Sequence, residues 1–251
     1  MPRYFIEVSY KGTNYSGFQV QQNANSIQAE IEKALKIFFR IDIELTGASR
    51  TDTGVHALKN FFHFDAENLP DDNVLIDNIY NLNAILPDDI VLKRIYKVAD
   101  NAHCRFDALS REYKYFIYQD KEPFLADRAY YFPYKLDIEK LQQAAAAILN
   151  YQDFTSFAKR NTQVKTFQCR IFKSAWSIES GTIVYNVQAN RFLRGMVRGL
   201  VGTMLKAGAG KISLNDFIAI IENKNPSAAD FSVPPQGLFL VNVEYPNSPQ
   251  V

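Results

Sequence analysis

The sequence predicts an α+β protein made of two ferredoxin-like halves, each with the order β-α-β-β-α-β, antiparallel sheets and helices on one sheet face. Three observations predict it. Residues 3–10, RYFIEVSY, alternate with the period of a strand. Ser26 stands where it can cap a helix through IQAEIEKALKIFF, whose apolar stripe is Ile27, Ile31, Leu35 and Phe38. The same order of element types then recurs in the second half, with no close sequence repeat. The boundary falls in residues 100–111, which gives halves of 1–105 and 106–251.

In the first strand Tyr4, Ile6 and Val8 share one face, and Phe5 and Glu7 the other. KGTNYSG at 11–17 is turn chemistry. After the capped helix, 41–46 reads as a strand, 47–57 as a loop, 59–66 as a second strand, 72–85 as a helix ending at Pro87, and 89–98 as a strand. In the second half, 112–119 is a strand and 137–149 a helix. Two strands, 167–179 and 182–189, meet at a Ser180–Gly181 hairpin. A helix over about 193–207, a short helix LNDFIAIIEN and a closing strand LFLVNVEY at 238–245 complete the order. Residues 120–135 and 151–166 are loops rich in aromatic and basic residues. Sheet faces left open by this arrangement would line a groove.

Composition bounds the function. Of 251 residues, 47% are hydrophobic and 22% charged, as in an ordinary globular protein with a sizeable core. No apolar run reaches membrane-spanning length and no signal-peptide core is seen. Two cysteines, Cys104 and Cys169, are too few for a disulfide framework or a cysteine-based zinc site. A cytoplasmic protein with reduced thiols is expected. Net charge is +1, but the charges segregate: between Phe154 and Asn215 Glu179 is the only acid, among ten lysines and arginines. A basic half in a neutral chain fits either a phosphate-rich partner or a merely solvated face.

No cofactor motif survives inspection. AGAGK at 207–211 lacks the Ser or Thr of a phosphate loop and ends a helix instead of opening one. His56, His63 and His103 have no metal-ligand spacing, which predicts no catalytic metal. Three runs carry more. GASRTDTGVHA at 47–57 is a plain Asx-type turn, or a site loop that holds Asp52 and Arg50. If extended, its period of two points both side chains the same way. NRFLRGMVRGLVGTML at 190–205 puts Met196, Val197, Leu200, Val201, Met204 and Leu205 on one helical face, with Arg191, Arg194 and Arg198 striped beside it. Arg198, at the edge, should be half buried and want an acidic partner, for which Asp52 is a candidate. Gly195, Gly199 and Gly202 cost such a helix about 2–3 kcal/mol relative to alanine, so close packing or a close ligand is expected there. HCRFDALSREYKYFIY at 103–118 interleaves basic and aromatic residues, as RNA binding and strand packing both favour.

Together these runs, with RYFIEVSYKGTNYSGFQVQ at the start, SRTDTGVHA, AHCRFDALSREYKY and GLFLVNVEY at the end, resemble the TruA-type tRNA pseudouridine synthases over essentially the whole length. One departure is Ser49, where many members have glycine. The resemblance implies the pseudouridine synthase fold and isomerisation of uridine to pseudouridine at positions 38, 39 and 40 of the tRNA anticodon stem-loop. It also implies a homodimer and no cofactor, metal or membrane. The essential aspartate falls on Asp52, the tyrosine that packs on the target base on Tyr113, and the arginine that pairs with the aspartate on Arg198. Arg50 matches the residue that fills the stem when the base leaves. Thr51, His56, Arg105, Phe106 and Arg194 fall to substrate binding, with Leu238 or Leu240 lining the pocket. The alternatives are a non-catalytic RNA-binding protein built on RRM-like halves and a ferredoxin-like small-molecule enzyme whose basic half is only surface.

Overall fold

A computed structural model describes every residue except 68, 70–77, 160–163 and 247–251. The chain folds as two compact units, Met1–Leu109 with Phe239–Val251, and Ser110–Leu238.

The first unit is built on β1 (Arg3–Tyr10), α1 (Ile27–Phe39), β2 (Thr46–Gly47), β3 (His56–Asp65), α2 (Ile79–Ile85) and β4 (Ile90–Val98). Strand β1 lies between β4 and β3, antiparallel to both, and β2 pairs with the far end of β3. That gives the order 4-1-3-2 of a ferredoxin-like sheet. Helix α1 starts where its cap predicts: the Ser26 hydroxyl accepts the Ala29 amide at 3.3 Å. Ile27, Ile31, Ala34 and Leu35 bury the inward stripe. The expected helix over 72–85 is seen from Ile79; 72–77 lie outside the described residues.

Three expectations change here. Residues 41–45 are not a strand, and only Thr46–Gly47 pairs with β3. Strand β3 begins at His56, so the end of the expected loop is already sheet. The second sheet face is not open either: Phe5, Phe61 and His63 are all buried. Tyr245 covers Phe5 and Phe61, with ring centroids 5.5 Å and 5.1 Å away. Its hydroxyl donates to the Cys104 carbonyl at 2.6 Å. Tyr245 follows β9 (Leu238–Glu244), the closing strand. Sequence order assigns that strand to the C-terminal half. Yet Phe239 and Leu240 pair in parallel with His56 and Ala57 of the first unit.

The second unit holds β5 (Ser110–Tyr118), β6 (Tyr130–Tyr131), α3 (Ile138–Ala147), β7 (Ile171–Glu179), β8 (Thr182–Ala189), α4 (Met196–Gly208) and α5 (Leu214–Glu222). Strand β8 is antiparallel to β5 and β7, and β6 runs parallel on the other side of β5. Ser180 and Gly181, at φ 48° and 79°, form the β7–β8 turn. Two successive positive φ values match the right-handed twist of a tight hairpin.

Helix α4 starts later than its apolar pattern predicts. Gly195 sits at φ 74°, outside helical geometry, so Arg191 and Arg194 are not helical and form no stripe with Arg198. The other two glycines meet a crossing segment. A Cβ on Gly202 would come 2.3 Å from the Asp230 carbonyl oxygen, and one on Gly199 2.8 Å from the Phe231 ring. The expected close approach is therefore made by this chain's own 230–233 segment.

Candidate active site

The GASRTDTGVHA run leaves β2, crosses as a loop and enters β3. Burial alternates along it: Ser49 and Thr51 are inside, Arg50 is exposed and Asp52 half-exposed. Thr51 is held by a buried chain of hydrogen bonds. Its hydroxyl lies 2.8 Å from the Tyr10 hydroxyl, and Asn60 Nδ2 donates to Tyr10 at 3.1 Å and to the Ser49 carbonyl at 3.0 Å. Either hydroxyl can donate across the Tyr10–Thr51 contact, and the phenol oxygen also accepts from Asn60. Burial pushes the Tyr10 hydroxyl up to about 12, so the phenol stays protonated at neutral pH.

The loop backbone is fixed as firmly. The Phe18 amide donates to the Thr51 carbonyl at 3.1 Å. A Cβ on Gly17, at φ 100°, would meet that same oxygen at 3.1 Å. The Val55 amide closes a turn onto the Asp52 carbonyl at 3.1 Å, with Gly54 at φ 76° inside it. His56 is buried, and its Nδ1 accepts the Gly12 amide at 3.0 Å, which puts the ring proton on Nε2. Its ring lies against Phe239, centroids 4.5 Å apart. Thr51 and His56 thus turn inward and hold the loop, while Arg50 and Asp52 are presented outward. Tyr10, Asn60, Gly12 and Gly17 were not singled out from the sequence. They come from other elements, and only pairing brings them here.

Arg105 and Phe106 lie on a turn after β4, both exposed, with Phe106 74% accessible. The Arg105 guanidinium sits 5.8 Å from the Phe106 ring centroid, and that ring packs on His103 at 4.2 Å. These residues share a polar pocket of about 240 Å³ with Arg50, Gln19, Gln28 and Thr46. Leu240 is fully buried in the same unit.

In the second unit, Tyr113 belongs to the inward row of β5 (Arg111, Tyr113, Tyr115, Ile117). Phe192 meets its ring edge-on at 5.1 Å. Arg198 is half-buried, as expected, but its hydrogen bonds go to main chain. Nε and Nη2 donate to the Val233 carbonyl at 2.9 and 2.6 Å, and Nη2 also reaches the Phe231 carbonyl at 3.4 Å. Carbonyl oxygens can accept a guanidinium's N–H bonds while leaving its charge in place, an option no reading of charged residues alone can show. Arg194 is exposed, and its carbonyl accepts the Lys159 amide at 3.0 Å. Leu238 is buried.

A model of a family described as tRNA pseudouridine synthase matches residues 6–107 and 144–246. The chain belongs to that family. Among similar proteins, one called tRNA pseudouridine synthase A from Bacteroides fragilis is 48% identical over 97% of this chain and 96% of its own. A protein of the same name from Bacteroides thetaiotaomicron is 45% identical over 98% and 91%. Another from Staphylococcus aureus is 34% identical over 96% and 90%. Among the described residues no helix is long and apolar enough to cross a membrane.

One cluster was missed. His63, His103 and Cys104 bring ring nitrogens and sulfur within 4.8 Å of one another, although sequence spacing separates His63 from the other two. Burial pushes the His63 imidazole down to about 4 and lowers His103 as well. The His63 ring is therefore neutral at pH 7.

Proposed function

We propose that this protein isomerises uridine to pseudouridine in tRNA, at positions 38, 39 and 40 of the anticodon stem-loop, with Asp52 as the reacting carboxylate. Membership of the tRNA pseudouridine synthase family supports the reaction class. The observation that carries the role of Asp52 is its place in the loop: half-exposed, between the exposed Arg50 and Gly54, on a backbone tied to Phe18, Tyr10 and Asn60. Such bracing holds a reacting group in one geometry, which is what a positioned catalyst requires.

The target base must leave its stack before its N1–C1′ bond can break. In this reading Arg50 takes the vacated place. Asp52 then attacks the nucleotide or removes a ribose proton, which is later returned. The N1–C1′ bond breaks, the base rotates, and C5 bonds to C1′. The C5 proton is lost and N1 takes one up, so the product is an isomer of the substrate. Tyr113 packs on the base and helps remove the C5 proton, and Arg198 keeps the carboxylate ionised. Arg105, Phe106 and Arg194 contact RNA, and Leu238 or Leu240 lines the base pocket. The working form is a cytoplasmic homodimer.

The test is tritium release from [5-³H]uridine tRNA, with tRNA binding measured in parallel. Wild-type protein should release tritium. Asp52→Asn should bind tRNA and release none. Near-normal release by that variant sinks the role of Asp52. Binding without release by the wild type would instead favour the RNA-binding alternative.

A further inference from the structure

We infer that His63, His103 and Cys104 form a binding site for a thiophilic divalent cation of the zinc class, which pins the Arg105–Phe106 turn to β3. Two imidazoles and one sulfur are the donor set that zinc and cobalt(II) select over magnesium or calcium. One ligand atom from each residue lies within 4.8 Å of the other two. The Cys104 sulfur is already 3.1 Å from His63 Nδ1. Both imidazoles offer a lone pair on Nδ1: that of His63 accepts the Cys104 amide at 3.4 Å, and that of His103 accepts the Arg105 and Phe106 amides at 3.1 and 3.4 Å. Two of these three contacts, at 3.4 Å, are longer than an ordinary hydrogen bond, and a metal bond would replace them.

The surrounding main chain holds the cluster in place. Arg3 donates to the Ala102 carbonyl at 2.8 Å, Asp107 accepts the His103 amide at 2.6 Å, and Tyr245 donates to the Cys104 carbonyl at 2.6 Å. Such outer contacts are what orient metal ligands. Arg3, a cation whose guanidinium reaches the Ala102 carbonyl beside the cluster, is neutralised by a two-pronged pair with Asp65 at 2.7 and 2.8 Å. The polar pocket lined by Thr46 and His103 supplies an entry path and room for water as a fourth ligand. The Cys104 thiol now reaches the Thr46 carbonyl at 3.1 Å. On binding it gives that proton to solvent, and the thiolate joins the metal. Nothing is oxidised or reduced, and the site acts on structure, not on uridine.

The probe is cobalt(II), titrated into metal-free protein. One equivalent should give tetrahedral d–d bands and a thiolate-to-cobalt charge-transfer band, both bleached by zinc. Cys104→Ser should lose the charge-transfer band and Cys169→Ser should keep it. His103→Ala, altered at a partly exposed side chain, should bind at least tenfold more weakly; it reports on the site even if Cys104→Ser does not fold. Zinc should also raise the melting temperature of the wild type but not of His103→Ala. Absence of a charge-transfer band in the wild type, or its survival in Cys104→Ser, overturns the proposal.

Discussion

Replacing Asn60 by alanine tests whether the Asp52 loop is held from behind. Asn60 is fully buried on β3 and makes three hydrogen bonds: Nδ2 to the Ser49 carbonyl (3.0 Å) and the Tyr10 hydroxyl (3.1 Å), and Oδ1 from the Phe61 amide (2.9 Å). At about 1 kcal/mol net per bond, Asn60→Ala should cost about 3 kcal/mol, and more if the Ser49 carbonyl and Phe61 amide find no water in the gap. In a chain of this size that lowers the melting temperature by about 6–12 °C. Tyr10→Phe leaves the other two Asn60 bonds intact, so it should cost less, about 1–2 kcal/mol. Tyr10→Phe removes the hydroxyl that holds Thr51, Asn60→Ala releases the Ser49 carbonyl, and both loosen the backbone that leads to Asp52. Turnover should therefore fall by about tenfold or more while tRNA affinity changes little. Thermal melts and tritium-release kinetics read both effects. Asn60→Ala protein with wild-type melting and wild-type turnover would refute the bracing argument, as would Tyr10→Phe costing more than Asn60→Ala.

Arg198→Ala should lose about 2 kcal/mol with the charge-assisted bonds to Val233, and activity with it; a stable, active variant in urea titration and tritium release would remove Arg198 from both roles. Gly202→Ala should destabilise, although alanine favours helices by about 1 kcal/mol, because its Cβ would sit 2.3 Å from the Asp230 carbonyl oxygen. A melting temperature at or above wild type would show that the 230–233 segment yields. Bonding to Lys114 at 2.9 and 3.0 Å holds the Glu179 carboxyl below its usual range. A carboxyl lowered in the folded state stabilises fully above its unfolded value and loses that contribution as pH falls through the folded one. Glu179→Gln should thus cost under about 1 kcal/mol at pH 7, as for an exposed pair, and nothing once the wild-type carboxyl is protonated. An unchanged difference between variant and wild type on acidification would contradict this.

Local rules settle much of this protein. The bounds of β1 and α1 follow from alternation, a 3.6-residue stripe and Ser26, because each depends on neighbours within a turn or two. Asp52, Arg50 and the glycines around them were legible as a site loop for the same reason, and the order of runs pointed to the family. Contacts between distant segments were not legible. The start of β3 depends on Gly12 meeting His56, and the place of the last strand depends on its pairing with Ala57. Gly195 read as one more helical glycine until its positive φ set the start of α4. Asp52 was the partner expected for Arg198; the 230–233 segment adds two carbonyl acceptors, which carry no sequence signature. Cys104 and His63 are 41 residues apart in sequence and 3.1 Å apart in space. Sequence alone fixes which side chains are available and which local shapes they favour. Which of them meet is decided by chain closure, since burying a polar group requires a partner that lies anywhere along the chain.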